Sequence, residues 1–181
     1  KLAKQIGKDP RIVELILNES KEILRVGHDF LIVETKHGFI CANAGVDESN
    51  IELGKASLLP KNPDKSAEKI RARIKKITGI DLAVIISDSQ GRAFREGVLG
   101  AAIGISGLIP IWDRRGDIDL FGRELKITKV AVADQLAAAA SIVMGEANEG
   151  IPVVLIKGAI YQKGEGKIRE LLFPKKRDVF R

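Results

Sequence analysis

The expectation from the sequence is an α+β fold: a mixed sheet with flanking helices, and functional residues on the loops between them. Two patterns predict it. Apolar residues recur at helical spacing in three blocks: Val13, Ile16, Leu17 and Leu24; Ile70, Ile74 and Ile77; and Val132, Leu136, Ala139 and Val143. Between and after these blocks lie short β-branched or aromatic runs at 30–34, 39–42, 84–86 and 151–156, bounded by turn-forming residues. The whole of 1–181 reads as one domain.

The elements follow in chain order. Asp9-Pro10 is a helix opening, a capping carboxylate followed by a proline preset for the first turn, and the apolar face predicts a helix to about Arg25. Segments 30–34 and 39–42 are expected to pair across Lys36-His37-Gly38. His28 and His37 read as loop and turn residues. Residues 43–50, NAGVDESN, form a loop directly after the second strand, and 58–65 is a proline-containing connection. Ser66 is expected to cap the next helix and Gly79 to end it. Its basic residues lie mainly off the apolar stripe, as a solvated face.

Val84, Ile85 and Ile86 read as a buried strand that stops at the turn-forming run 87–91. Residues 98–111, rich in Gly, Ala and Ile, imply close backbone packing or a subunit contact. Asp113, Asp117 and Asp119 lack a full Ca²⁺-loop pattern and read as structural polar contacts. Segment 125–132 is partly strand-like, the Ala-rich helix follows, and Gly145 is its expected stop. Residues 151–156 read as a buried strand, and the basic end of the chain as a solvated tail.

Composition narrows the function. The apolar fraction of 45% and charged fraction of 30% are those of a soluble globular protein, and the aromatic fraction of 4% leaves an aliphatic core. The net charge of +6 favours phosphate-rich ligands, but basic residues interleaved with stacking aromatics are lacking, which argues against nucleic acid as a partner. Cys41 is the single cysteine, so there is no intrachain disulfide, and it reads as a small buried hydrophobe. No apolar run approaches the roughly 18 residues of a membrane span, and no signal peptide opens the chain, so a cytoplasmic location without membrane partners is expected. The chain starts at Lys1 without Met and reads as the remainder of a longer polypeptide.

The chemistry concentrates at VIISDSQGRAFREG, residues 84–97. A carboxylate, Asp88, and a hydroxyl, Ser89, stand just past an apolar run, with Arg92 and Arg95 close behind. Hard oxygens suit Mg²⁺ or Mn²⁺, and guanidinium forks suit phosphate oxygens. A strand, a turn and a solvated basic loop fit the same residues equally well. Asp47 in the 43–50 loop and Glu146 in MGEANEGI are two further acidic points beside regular elements. If the three meet, they form an oxygen-rich site for divalent cations, with no Cys or His cluster for zinc.

Four stretches together carry a resemblance: GKDPRIVELIL, ANAGVDESN, IISDSQGRAFREG and VADQLAAAASIVMGEANEGIPVVLIKG. They resemble the coenzyme F-420-0:L-glutamate ligases, or F-420 gamma-glutamyl ligases, in the family's order. The chain lacks the usual amino-terminal portion, so a truncated gamma-glutamyl ligase fold is implied. The resemblance implies a GTP-dependent amide ligase that joins L-glutamate to the phospholactyl carboxylate of the deazaflavin coenzyme F-420-0, with further gamma-linked glutamate possible in the family. It implies a homodimer, two divalent ions (Mg²⁺ or Mn²⁺), and a response to K⁺ in some members. Carried over by position, Asp47 and Asp88 hold one metal, and Ser89 and Glu146 help hold the second. Ser89 stands where the family often has Thr. Asn50 contacts GTP, and the loop Met144, Gly145, Glu146, Ala147, Asn148, Glu149, Gly150 and Ile151 follows the nucleotide. Phosphate contacts by Arg92 and Arg95 are an inference from their chemistry, against loop-stabilising ion pairs. Two other functions fit the chain: a related carboxylate–amine ligase with another acceptor, and a metal- and nucleotide-binding module without ligase activity.

Overall fold

The computed structural model describes residues 1–180. A short helix α1 (Leu2–Gln5) leads into α2 (Pro10–Glu19), where the Asp9 carboxylate accepts the Arg11 N–H at 2.8 Å. The helix stops six residues before the expected Arg25. At Ser20 the backbone turns extended, and the Ser20 hydroxyl donates to the Ile16 carbonyl at 2.5 Å. The chain continues as β1 (Ser20–Val26), and Leu24 belongs to this strand, not to the helical stripe. Strand pairing overrode the apolar spacing there.

β1 pairs antiparallel with β2 (Leu31–Thr35), which pairs antiparallel with β3 (Ile40–Ala42). The alternation on β2 buries Leu31, Val33 and Thr35. Leu31 and Val33 close a first core with Ile6, Val13, Ile16, Ala44 and Val46.

The second half is organised around a long hairpin of β4 (Val84–Arg92) and β5 (Arg95–Ser106). The expected turn at 87–91 is instead strand, continuous with 84–86 past a register shift between Ile86 and Ser87. The long partner β5 supplies ladder bonds that outweigh the turn preferences of Ser, Asp and Gly. Helices α3 (Pro63–Thr78) and α4 (Val132–Met144) pack against β5. Phe39, Ile103, Ile105, Leu108, Ala133, Ala137 and Ile168 form the core there.

Small residues on β5 set these approaches. A Cβ on Gly100 would stand 2.6 Å from the Ala137 carbonyl oxygen, and one on Gly104 would stand 2.5 Å from the Pro63 carbonyl carbon. The close packing expected for 98–111 is therefore met within the chain. Side chains from the helices also serve the strand's backbone. Ser141 accepts from Gly100 N at 3.2 Å, Asp134 from Ala102 N at 3.0 Å, and Asp64 from Ile105 N at 2.9 Å.

Several expectations need correction. Asn62, not Ser66, caps α3, its side chain accepting from Lys65 N at 3.0 Å, while Gly79 ends the helix at φ 73° as expected. Ile70 and Ile77 are exposed, because only the first turns of α3, at Pro63 and Ala67, are buried against the rest of the chain. On α4 the buried face is Val132, Ala133 and Ala137, and Val143 is exposed; the tight strand approach selects alanine. The short strands β6 (Ile111–Asp113) and β7 (Lys129–Ala131) pair antiparallel. In the loop between them Asp113 pairs with Arg115, Asp117 with Arg114, and Asp119 accepts from Phe121 N and Arg123 N, the structural contacts expected.

The α+β class holds, but the mixed sheet does not. Every ladder among the described residues is antiparallel, in sheets of three, two and two strands. The tight turns at 36–38 and 93–94 can join only antiparallel neighbours; parallel ones need a crossover. Residues 151–156, expected as a buried strand, have no ladder partner among the described residues, and Val153 and Leu155 are exposed. No helix among the described residues is long and apolar enough to cross a membrane.

Candidate active-site cleft

After β3 the chain makes a tight 3-10 turn, Asn43–Gly45, with positive φ at all three residues. The Asn43 side chain fixes it by accepting from Leu31 N at 3.0 Å. Asp47 then stands at the head of the following loop, tied back by paired backbone bonds with Ser57. Its carboxylate accepts from Ser49 N at 3.0 Å and Ser49 Oγ at 2.5 Å. Asn50 takes a left-handed conformation, φ 51°, which asparagine tolerates better than most residues.

Three segments distant in sequence meet at an open cleft of about 870 Å³: the loop around Asp47 and Asn50, β4 at Asp88 to Gly91, and the segment from Met144 to Pro152 after α4. Two bonds tie the last segment to the others. Ser89 Oγ donates to Glu146 at 2.6 Å, and Asn50 Nδ2 donates to the Ala147 carbonyl at 2.7 Å. Gly145 ends α4 at φ 75°, and Glu149 accepts from Ala147 N at 2.9 Å, which holds the loop folded and keeps the Glu149 carboxyl below its ordinary range.

Asp88 and Ser89 are consecutive on a strand, so their side chains leave opposite faces. Both line one cleft, at a strand whose only ladder partner among the described residues is β5. The cleft therefore wraps over the rim of an edge strand. Burial pushes the Asp88 carboxyl above its ordinary range; bonds from Gln90 and Ser89 partly offset this, and the nearby charges of Asp47 and Glu146 add to it. Burial also pushes the Cys41 thiol up to about 12, with the Asp88 charge adding to the effect.

All the expected metal and nucleotide residues line this cleft: Asp47, Asn50, Asp88, Ser89 and 144–151. They are gathered but not closed into a cage, since no group of three His, Cys, Asp or Glu among the described residues is placed to hold a metal ion. Arg92 and Arg95 lie elsewhere. They face one another as a cross-strand pair at the hairpin tip, outside the cleft lining, and Arg92 donates to the Glu96 carbonyl at 3.4 Å. No ion pair of either arginine occurs among the described residues. Gln90 was missed. It follows Asp88 by two residues, shares its face, and donates to the Asp88 carboxylate at 3.3 Å. Strand alternation would have found it had 87–91 been read as strand.

The fold and the cleft define an α+β protein with an open cleft lined by carboxylate, hydroxyl and amide groups. Comparison with known proteins gives the family. The sequence profile described as F-420-0:gamma-glutamyl ligase matches residues 1–158, and the chain belongs to that family. It is 63% identical over 180 residues to the coenzyme F-420:L-glutamate ligase of Methanocaldococcus jannaschii, covering 99% of this chain and 72% of the relative. The ligase of the same name from Methanothermobacter thermautotrophicus is 58% identical over 182 residues, and that of Archaeoglobus fulgidus 47% over 180, again covering 99% of this chain and 72% of each relative.

Proposed function

We propose that the chain is a coenzyme F-420:L-glutamate ligase, the activity its relatives are named for, with GTP as phosphoryl donor. Supporting this is the convergence of Asp47, Asp88, Ser89 and Glu146 on one cleft, in a chain so similar to those ligases over nearly all its length. The donor set fits Mg²⁺ or Mn²⁺. It is all oxygen, and Asp88 is held above its ordinary carboxyl range chiefly by burial, with a smaller repulsion from Asp47 and Glu146 that a divalent cation would relieve. Asp47 and Asp88 would hold one ion, and Ser89 and Glu146 would help hold a second. Such ions neutralise phosphate charge and align the phosphoryl group with the acceptor.

The residues of the chain bind and position. Asn50 and the 144–151 loop, joined by the Asn50–Ala147 bond, form the nucleotide wall. In the reaction, a substrate carboxylate oxygen attacks the γ-phosphorus and GDP leaves, giving an acyl phosphate. The glutamate nitrogen then bonds to the acyl carbon, the carbon–oxygen bond to phosphate breaks, and the amine's protons pass to phosphate and solvent. Most of the rate comes from orientation and fixed charge. Arg92 and Arg95 have no part in this assignment, since the hairpin tip holds them outside the cleft lining. Homodimer formation is part of the proposal through the family alone.

The test is mass spectrometry of the deazaflavin after incubation with GTP, Mn²⁺ and L-glutamate. A product heavier by one or more glutamyl units, with matching GDP release, is expected. Metal-dependent GTP binding with no mass change would identify a binding module instead.

A further inference from the structure

His37 stands outside the cleft lining, at the turn between β2 and β3, and its ring reaches the segment that holds Asp47. Nε2 lies 3.0 Å from the Pro60 carbonyl oxygen. A carbonyl oxygen can only accept, so Nε2 carries the proton and donates. Nδ1 is buried and has no hydrogen-bond partner among the described residues. An unpaired buried acceptor is unfavourable, so other contacts must fix the ring. They are the Pro60 bond and a stack on Phe39, with ring centroids 5.5 Å apart.

From Pro60 the hold passes to Asp47 by two routes. Leu59, next in the chain, lies directly over Gly45: a Cβ on that glycine would stand 2.6 Å from the Leu59 Cγ. Ser57 then exchanges backbone bonds with Asp47. Ser57 N donates to the Asp47 carbonyl at 2.8 Å, and Asp47 N donates to the Ser57 carbonyl at 3.3 Å. The Ser57 hydroxyl donates to the same Asp47 carbonyl at 3.3 Å. Residues 57–60 therefore strap down the turn from which Asp47 emerges. Just beyond the strap, Asn62 caps α3.

We propose that His37 is a positioning residue for the metal site of the ligase reading, on which this inference rests: its Nε2–H fixes the 57–60 strap, and the strap fixes the backbone of Asp47. A carboxylate already in place binds a cation without an ordering cost, and a loosened strap reintroduces that cost. The ring itself touches neither substrate nor ion.

The experiment compares His37→Gln with His37→Met in the intact protein. The two side chains are alike in size and both forgo the ring stack, so they differ chiefly in the N–H donor. Retention of a non-hydrolysable GTP analogue is followed by equilibrium dialysis as Mn²⁺ is titrated, and amide exchange is followed at Ser57. The methionine variant is expected to need about fivefold more Mn²⁺, the size of one hydrogen bond, and to exchange faster at Ser57. The glutamine variant is expected to stay within twofold of the parent. A merely structural ring would weaken both variants alike. A methionine variant within twofold of the parent overturns the proposal, as does a glutamine variant no better than the methionine one. Should neither variant fold, the parent still decides. Coupling is reciprocal, so Mg²⁺ with the analogue is expected to slow exchange at Ser57, and an unchanged rate overturns the proposal. The metal reading fails on a different result, analogue retention by the parent that ignores Mn²⁺, and the ligase reading on the absence of a glutamylated product.

Discussion

Gly104→Ala tests the packing that places β4. The added Cβ would stand 2.5 Å from the Pro63 carbonyl carbon and 2.6 Å from its oxygen and Cβ. Carbon atoms pack at about 3.5 Å, so β5 and the start of α3 must part by roughly 1 Å. Overpacking of this kind costs about 1–3 kcal/mol. The same movement stretches the bond from Ile105 N to the Asp64 carboxylate, now 2.9 Å, which adds about 1 kcal/mol. A loss of about 2–4 kcal/mol lowers Tm by roughly 5–15 °C in a chain of this size. Gly91→Ala is the control, since a Cβ there meets nothing within 4 Å. Differential scanning calorimetry on both variants measures the difference. A Gly104→Ala protein melting within about 2 °C of the parent would refute the argument.

Asp88→Asn is expected to abolish turnover without loss of stability. Burial raises the Asp88 carboxyl in the folded state, so in metal-free protein its contribution is most favourable below the unfolded carboxyl value. That contribution is lost as pH rises through the folded one, and Asn removes the penalty at neutral pH. Substantial activity at saturating Mn²⁺, or a clear drop in Tm, contradicts this. Glu146→Gln is expected to shift the metal requirement upward, and an unmoved metal titration would remove Glu146 from the site. Asn50→Gly keeps the left-handed backbone but deletes the bond to Ala147, so the KM for GTP is expected to rise about tenfold, the equivalent of one good hydrogen bond. An unaltered KM counts against that contact. Cys41, pushed up to about 12 from 9.0, is expected to react with iodoacetamide about a thousandfold more slowly in the native protein than in denaturant. Equal rates would place the thiol at the surface.

The sequence was most legible where local chemistry decides. Asp9-Pro10, the turn before β3, and the stops at Gly79 and Gly145 all follow from local chemistry: a capping carboxylate, or a glycine free to take positive φ. It was least legible where a distant partner decides. Leu24 fits a helical stripe and lies in β1, because β2 offers a ladder. Ser87 to Gly91 look like a turn and form strand, because β5 runs alongside. Residues 151–156 look like strand and find no ladder among the described residues. At the site, each acidic point was visible on its own in the sequence. Their meeting was not, since Asn50 and Ala147 are 97 positions apart. The resemblance to a family supplied that link. Arg92 and Arg95 drew attention by composition alone, and the hairpin geometry separates them from the cleft.

The helix side chains that accept from Gly100 and Ala102 have a consequence for solubility. A strand border with idle N–H groups is a template on which another chain can grow into a fibril. Ser141 and Asp134 occupy two of those donors on β5, at Gly100 and Ala102, and withhold them from a stranger. Deleting both acceptors would uncover an adhesive rim, and such a double variant would be prone to assemble into insoluble ribbons.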